Sequence, residues 1–140
     1  MTRFVGILFL TLAVACSSST GPRNLSYEGR STVSPTPPLD VQTVVTVRNT
    51  GDATTQISTN ICGQPIRAFT TPMRLGNWVW QSYDPAAVGC LDIATFATLA
   101  PGDYYDFRLG GTLPPSLPSG VYYLAVNING TLVPAGQFSK

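Results

Sequence analysis

From Asn24 onward the chain is built of short runs of β-branched and aromatic residues, interrupted every eight to twelve positions by Gly, Pro, Asn or Asp. That punctuation is the signature of an antiparallel β-sandwich or barrel, and no credible helix interrupts it. Val41, Val45 and Val47 alternate with Gln42, Thr46 and Arg48, one face for a core and one for water. Asn49-Thr50-Gly51-Asp52 supplies turn chemistry, and Ala53, Thr55, Ile57, Thr59 and Ile61 continue with period two. A hairpin is expected over this stretch.

Ile66, Ala68 and Thr70 predict a third short strand, and Trp78 with Trp80 share one face of a fourth. Ile93, Ala97 and Leu99 are expected to point inward before Ala100-Pro-Gly-Asp103, a turn with Pro preset for its first corner and Gly where φ turns positive. Tyr105, Phe107 and Leu109 resume the apolar face. Gly110 to Ser119 contains three prolines and is expected to be a loop, since each would remove a ladder hydrogen bond from a central strand. Tyr122, Leu124, Val126 and Ile128 then lead into Asn129-Gly130, the preferred two-residue turn of a type I′ hairpin. Pro134 confines the returning strand to an edge or a bulge. Gly120-Val121-Tyr122 also resembles a tyrosine corner, in which the phenol bonds backbone a few residues upstream. Seven to nine strands are expected.

The N-terminus carries an address. Arg3 precedes an unbroken apolar run from Phe4 to Leu10 and then Ala13-Val14-Ala15-Cys16. A helix needs about 20 apolar residues to span a bilayer, so residues 1–15 are expected to be a secretory signal peptide. Leu12 to Cys16 resembles a bacterial lipobox, in which the Cys is lipidated and becomes the mature N-terminus; a plain cleavable signal is the alternative. Residues 16–23 have the composition of a flexible tether, leaving 24–140 as one folded domain. With Cys16 lipidated, Cys62 and Cys90 are an even pair in an oxidising compartment, and a disulfide is expected. A metal site or redox dithiol is disfavoured, because there is no His and no Cys-x-x-Cys.

Beyond residue 15, seven basic residues balance seven acids without a basic run, which argues against nucleic acid and against electrostatic docking to anionic lipid. Catalytic means are sparse. The commonest general base is absent, and Lys140 is the sole Lys. Asp103 and Asp106 are three apart on a strand and face opposite ways. Asp84 and Asp92 bracket a loop and could meet, but Asp84 before Pro85 suits a backbone cap. No cofactor, metal or catalytic residue is expected. Trp78, Trp80 and Tyr83 form the one ambiguous cluster: they either stack on sugar rings or anchor a partner, or they fill the core.

Four segments, Val45-Thr-Val-Arg-Asn-Thr-Gly, Gly76-Asn-Trp-Val-Trp80-Gln-Ser82, Leu99-Ala-Pro-Gly-Asp103 and Leu117-Pro-Ser-Gly-Val-Tyr122-Tyr-Leu, follow the order found in the BsuPI-type intracellular proteinase inhibitor domain. The chain resembles that family over about residues 40 to 128. The resemblance implies an immunoglobulin-like β-sandwich and, by analogy of fold, protease inhibition. The signal sequence and the Cys62 and Cys90 pair depart from the family pattern, and no inhibitory residue is carried over. The expectation is a non-catalytic lipoprotein of the bacterial cell envelope, exported and held to the membrane through its lipid alone, that binds a protein partner. Its contacts would come from end loops such as Asp84 to Gly89 or Gly110 to Ser119. The alternative is a carbohydrate-binding module using Trp78, Trp80 and Tyr83.

Overall fold

The computed structural model describes residues 24–89 and 93–140, so the expected signal peptide, Cys16, the tether to Arg23, Cys90 and Asp92 lie outside the described residues. Within them the chain forms nine strands: β1 Leu25–Val33, β2 Leu39–Asn49, β3 Thr55–Ser58, β4 Ile66–Phe69, β5 Trp80–Gln81, β6 Phe96–Leu99, β7 Tyr104–Leu113, β8 Val121–Ile128 and β9 Thr131–Ser139. All pairings are antiparallel. They make a three-stranded sheet β1-β2-β7, a four-stranded sheet β5-β4-β8-β9 and a small β3-β6 pair.

The two larger sheets pack in a sandwich-like arrangement, because alternation gives each an apolar inner face. Val41, Val45, Val47, Phe107 and Leu109 from one sheet meet Ile66, Ala68, Leu124, Val126, Ile128 and Val133 from the other in a single core. Thr43 is buried among them and bonds Ser31 through the two hydroxyls at 2.7 Å. Two glycines mark where the sheet edges close on each other. A Cβ at Gly29 in β1 would overlap the Pro134 carbonyl oxygen of β9, and one at Gly111 in β7 would lie 2.5 Å from Ser82 Cβ just past β5. The close approach covers edges that would otherwise be open to foreign strands.

Several local expectations match. Asn129 and Gly130 have φ of 51° and 82° between β8 and β9, as a type I′ turn requires. Pro134 lies on edge strand β9 beside a register shift. Tyr122 Oη donates to the Pro118 carbonyl oxygen at 2.6 Å, completing the tyrosine corner.

Four expectations need correction. Residues 41–61 are not a hairpin: β2 pairs with β1 and β7, while β3 pairs with β6. Asn49 decides this. Its backbone pairs with Gly102 and Asp103, and its buried side chain donates to the Ala53 and Leu99 carbonyls at 2.8 and 2.9 Å and accepts from Gly51 N–H. The chain is thereby steered out of the first sheet. Second, Gly110 to Leu113 extends β7 and pairs with β2, so the loop begins only at Pro114. Third, Ile93 is exposed. Fourth, β5 begins at Trp80, so Trp78 and Trp80 do not share a strand face. β1 carries a weak sequence signal, because its inward residues, Leu25, Tyr27, Gly29, Ser31 and Val33, include a Gly and a Ser that break the apolar stripe.

Candidate functional site

The connection from β4 to β5 collects most of what is unusual. Phe69 ends β4 in the core, and a turn follows in which Arg74 N–H donates to the Thr71 carbonyl at 3.0 Å. Arg74 has φ of 54°, a left-handed conformation costing a non-glycine residue on the order of 1–3 kcal/mol unless the surroundings hold it. They do. Its guanidinium donates from Nε to Leu124 O at 2.9 Å, from Nη1 to Pro72 O at 2.8 Å and from Nη2 to Gly136 O at 3.4 Å. The first and last acceptors come from the register shift between β8 and β9, where the pairing steps from Tyr123–Gln137 to Ala125–Pro134 and passes over Leu124. Pro134 has no N–H to give, and Gly136 takes a φ of 97°; together they create a bulge whose spare carbonyls bind the arginine.

This clamp fixes the turn so that its two large apolar residues point into solvent: Met73 is 74% and Leu75 64% exposed. The chain then passes Gly76, with φ of 83°, and reaches Trp78, 45% exposed, and Val79, also exposed. Arg67 of β4 lays its guanidinium 4.1 Å from the centre of the Trp78 ring, and Arg74 stands 5.8 Å from that of Tyr123. Such cation–π stacks hold the rings in place and leave one face free. Cross-strand neighbours Arg67 and Gln81 also carry Nε and Oε1 atoms that are buried without a hydrogen-bond partner among the described residues. Four large apolar side chains, Met73, Leu75, Trp78 and Val79, thus stand exposed along one connection, a platform with the Arg67 and Arg74 guanidinium groups beside it.

The three aromatic candidates are not brought together. Trp80 is 9% exposed and belongs to the core, lying across from Gly111. Tyr83 is half-buried and serves the backbone, donating to the Ile61 carbonyl at 3.0 Å and accepting from Gln64 N–H at 3.2 Å. Trp78 alone presents its indole. The expected end loops fare differently as well. Pro114 to Ser119 is tied down by the Lys140 ammonium, which donates to the carbonyls of Pro114, Pro115 and Leu117. In the other, Asp84 caps its own turn by accepting from Ala86 N–H at 3.0 Å. Met73 and Leu75 were missed in the sequence; the available signal was two large apolar residues inside Thr-Pro-Met-Arg-Leu-Gly, a turn-rich stretch with no strand to bury them.

Elsewhere, carboxylates are engaged in structure. Asp103 Oδ2 accepts from Ala100 N–H at 3.1 Å, and Asp106 Oδ1 accepts from Thr46 Oγ1 at 2.7 Å. Among the described residues no three His, Cys, Asp or Glu side chains converge to hold a metal, and no helix is long and apolar enough to cross a membrane. Cys62 is disulfide-bonded, at the rim of a cleft of about 370 Å³ lined also by Ile61, Tyr83 and Val88. No family model, curated protein or solved structure matches this chain.

Proposed function

We propose that this protein is a non-catalytic, lipid-anchored protein of the bacterial cell envelope that binds a protein partner through the platform of Met73, Leu75, Trp78 and Val79. The observation that carries the reading is the placement of these four residues in solvent by a turn clamped through Arg74. An exposed apolar patch with a polar rim marks an interaction site, and Met, Trp, Tyr and Arg are the side chains that interfaces concentrate. A surface held rigid before contact loses little entropy on binding. Lipidation of Cys16 and pairing of Cys62 with Cys90 belong to the same proposal, as does assignment of the sandwich-like fold to the immunoglobulin-like class. The order of pairing, β1-β2-β7 facing β5-β4-β8-β9, and the tyrosine corner support that class. The resemblance to the BsuPI-type domain makes a proteinase the first class of partner to try.

The carbohydrate alternative loses its three-ring platform, because Trp80 is in the core and Tyr83 is bonded to backbone. A photo-crosslinking residue at Leu75 in the intact envelope tests the protein-binding reading, with Arg108 on the outer face of the other sheet as control. A discrete protein adduct from position 75 and none from 108 is expected. No adduct at 75, or equal labelling at both, removes the reading.

A further inference from the structure

The end of the sandwich from which Asn24 emerges differs chemically from the region that carries Met73 to Val79. Asn24 accepts at its carbonyl from Thr50 N–H and stands beside the turns at 49–52 and 100–103, which Asn49 joins through Gly102 and Asp103. The β8–β9 turn lies at the same end, since Asn129 donates to Ser58 O of β3 at 3.3 Å. From there the β3-β6 pair continues through Thr59 N–H donating to Thr95 O and Asn60 donating to Ile93 O. This end exposes Ile61, Val88, Ile93 and Phe96, the last two at 60% each. The stretches 53–66 and 93–102 contain no charged residue; Asp52, Arg67, Asp92 and Asp103 adjoin them in sequence, and Arg48 Nη1 donates to the Gly102 carbonyl at 2.7 Å.

We infer that this end rests on the bilayer, with Phe96 and Ile93 seated at the headgroup level and Ile61 and Val88 beside them. The inference rests on the proposed lipidation of Cys16. Eight Cα steps separate Cys16 from Asn24, a reach of at most about 28 Å when fully extended. β2 alone, with its 11 residues, is about 36 Å long, so the anchor holds this end of the sandwich near the membrane, while the Met73 platform lies over the β8–β9 bulge. Exposed aliphatic and aromatic residues flanked by a few charges of both signs match a zwitterionic interface, where binding scales with buried apolar area. The second contact adds to the lipid chain and sets the orientation of the body.

The test uses the full lipidated chain in phosphatidylcholine vesicles whose acyl chains carry bromine, a short-range quencher of indole fluorescence. Native Trp78 and Trp80 serve as internal reference. Phe96→Trp, and Ile93→Trp as a second exposed position, should add emission of which at least half is lost in brominated vesicles while the parent's emission is unchanged. Protein that floats with the vesicles but whose added emission is quenched no more than the parent's overturns the orientation and leaves the anchor standing. Protein that does not float overturns the anchor and the orientation together. Added emission that is shielded but unquenched, accompanied by a cross-linked dimer, places a second copy on this face and also overturns the inference.

Discussion

The stretch from Tyr104 to Ser139 and the stretch from Thr59 to Gly89 use apolar residues in opposite ways. The first is mostly strand, and most of its large side chains, Phe107, Leu109, Tyr122, Leu124 and Ile128 among them, go into the core, with Tyr104, Val121 and Leu132 exposed at strand ends. The second contains only β4 and β5, and leaves Ile61, Met73, Leu75, Trp78, Val79 and Val88 in solvent. It is nonetheless tightly held. Arg74 is bonded to both strands of the bulge, Ser82 exchanges bonds with Ile66 through Oγ and backbone, and Tyr83 bridges Ile61 and Gln64. Polar bonds fix the backbone there while apolar side chains remain outside, the arrangement of a recognition surface on a rigid scaffold.

The contrast is broken most forcefully at Trp80, the largest side chain of the second stretch to join the core. Trp80→Ala should cost about 3–5 kcal/mol by leaving a cavity opposite Gly111, read as the shift of a urea midpoint. Next in size is the bridge at Cys62. Cys62→Ser with Cys90→Ser should cost about 2–4 kcal/mol, and thiol titration of the unreduced, unfolded parent should find neither cysteine free. Gly111→Ala probes the seam between β7 and the residue after β5. Its new methyl would meet Ser82 Cβ at 2.5 Å and Trp80 at 3.2 Å, so a loss of about 1–3 kcal/mol is expected by calorimetry. Tyr122→Phe removes the bond to Pro118 in the first stretch and should cost about 1 kcal/mol without moving the ladder amides in hydrogen exchange.

Legibility in the sequence follows the same division. Where alternation runs the length of a strand, as from Tyr122 to Ile128, burial is decided locally, and the Asn129-Gly130 turn and the edge position of Pro134 follow from backbone chemistry alone. The hairpin expected after β2 failed because period two is the same whichever partner a strand takes, and the partner was chosen by the buried amide of Asn49, whose acceptor Leu99 is remote in sequence. Trp78 and Trp80 were indistinguishable by type and spacing. Their fates diverge because the β4 ladder engages at Val79 N–H, which carries Trp80 inward and leaves Trp78 to stack beneath Arg67. The Arg74 clamp was hidden for a further reason: its carbonyl acceptors exist only once β8 and β9 pair with a bulge.

The central claim is that the Met73 to Val79 platform serves binding and contributes little to folding. Trp78→Ala measures it directly when thermal melting and photo-crosslinking from Leu75 are read on the same protein. A surface substitution of this kind should change stability by no more than about 0.5 kcal/mol, so a nearly unchanged melting temperature is predicted together with loss of the adduct. A large fall in melting temperature with the adduct retained would contradict the account, making Trp78 part of the fold and the platform incidental.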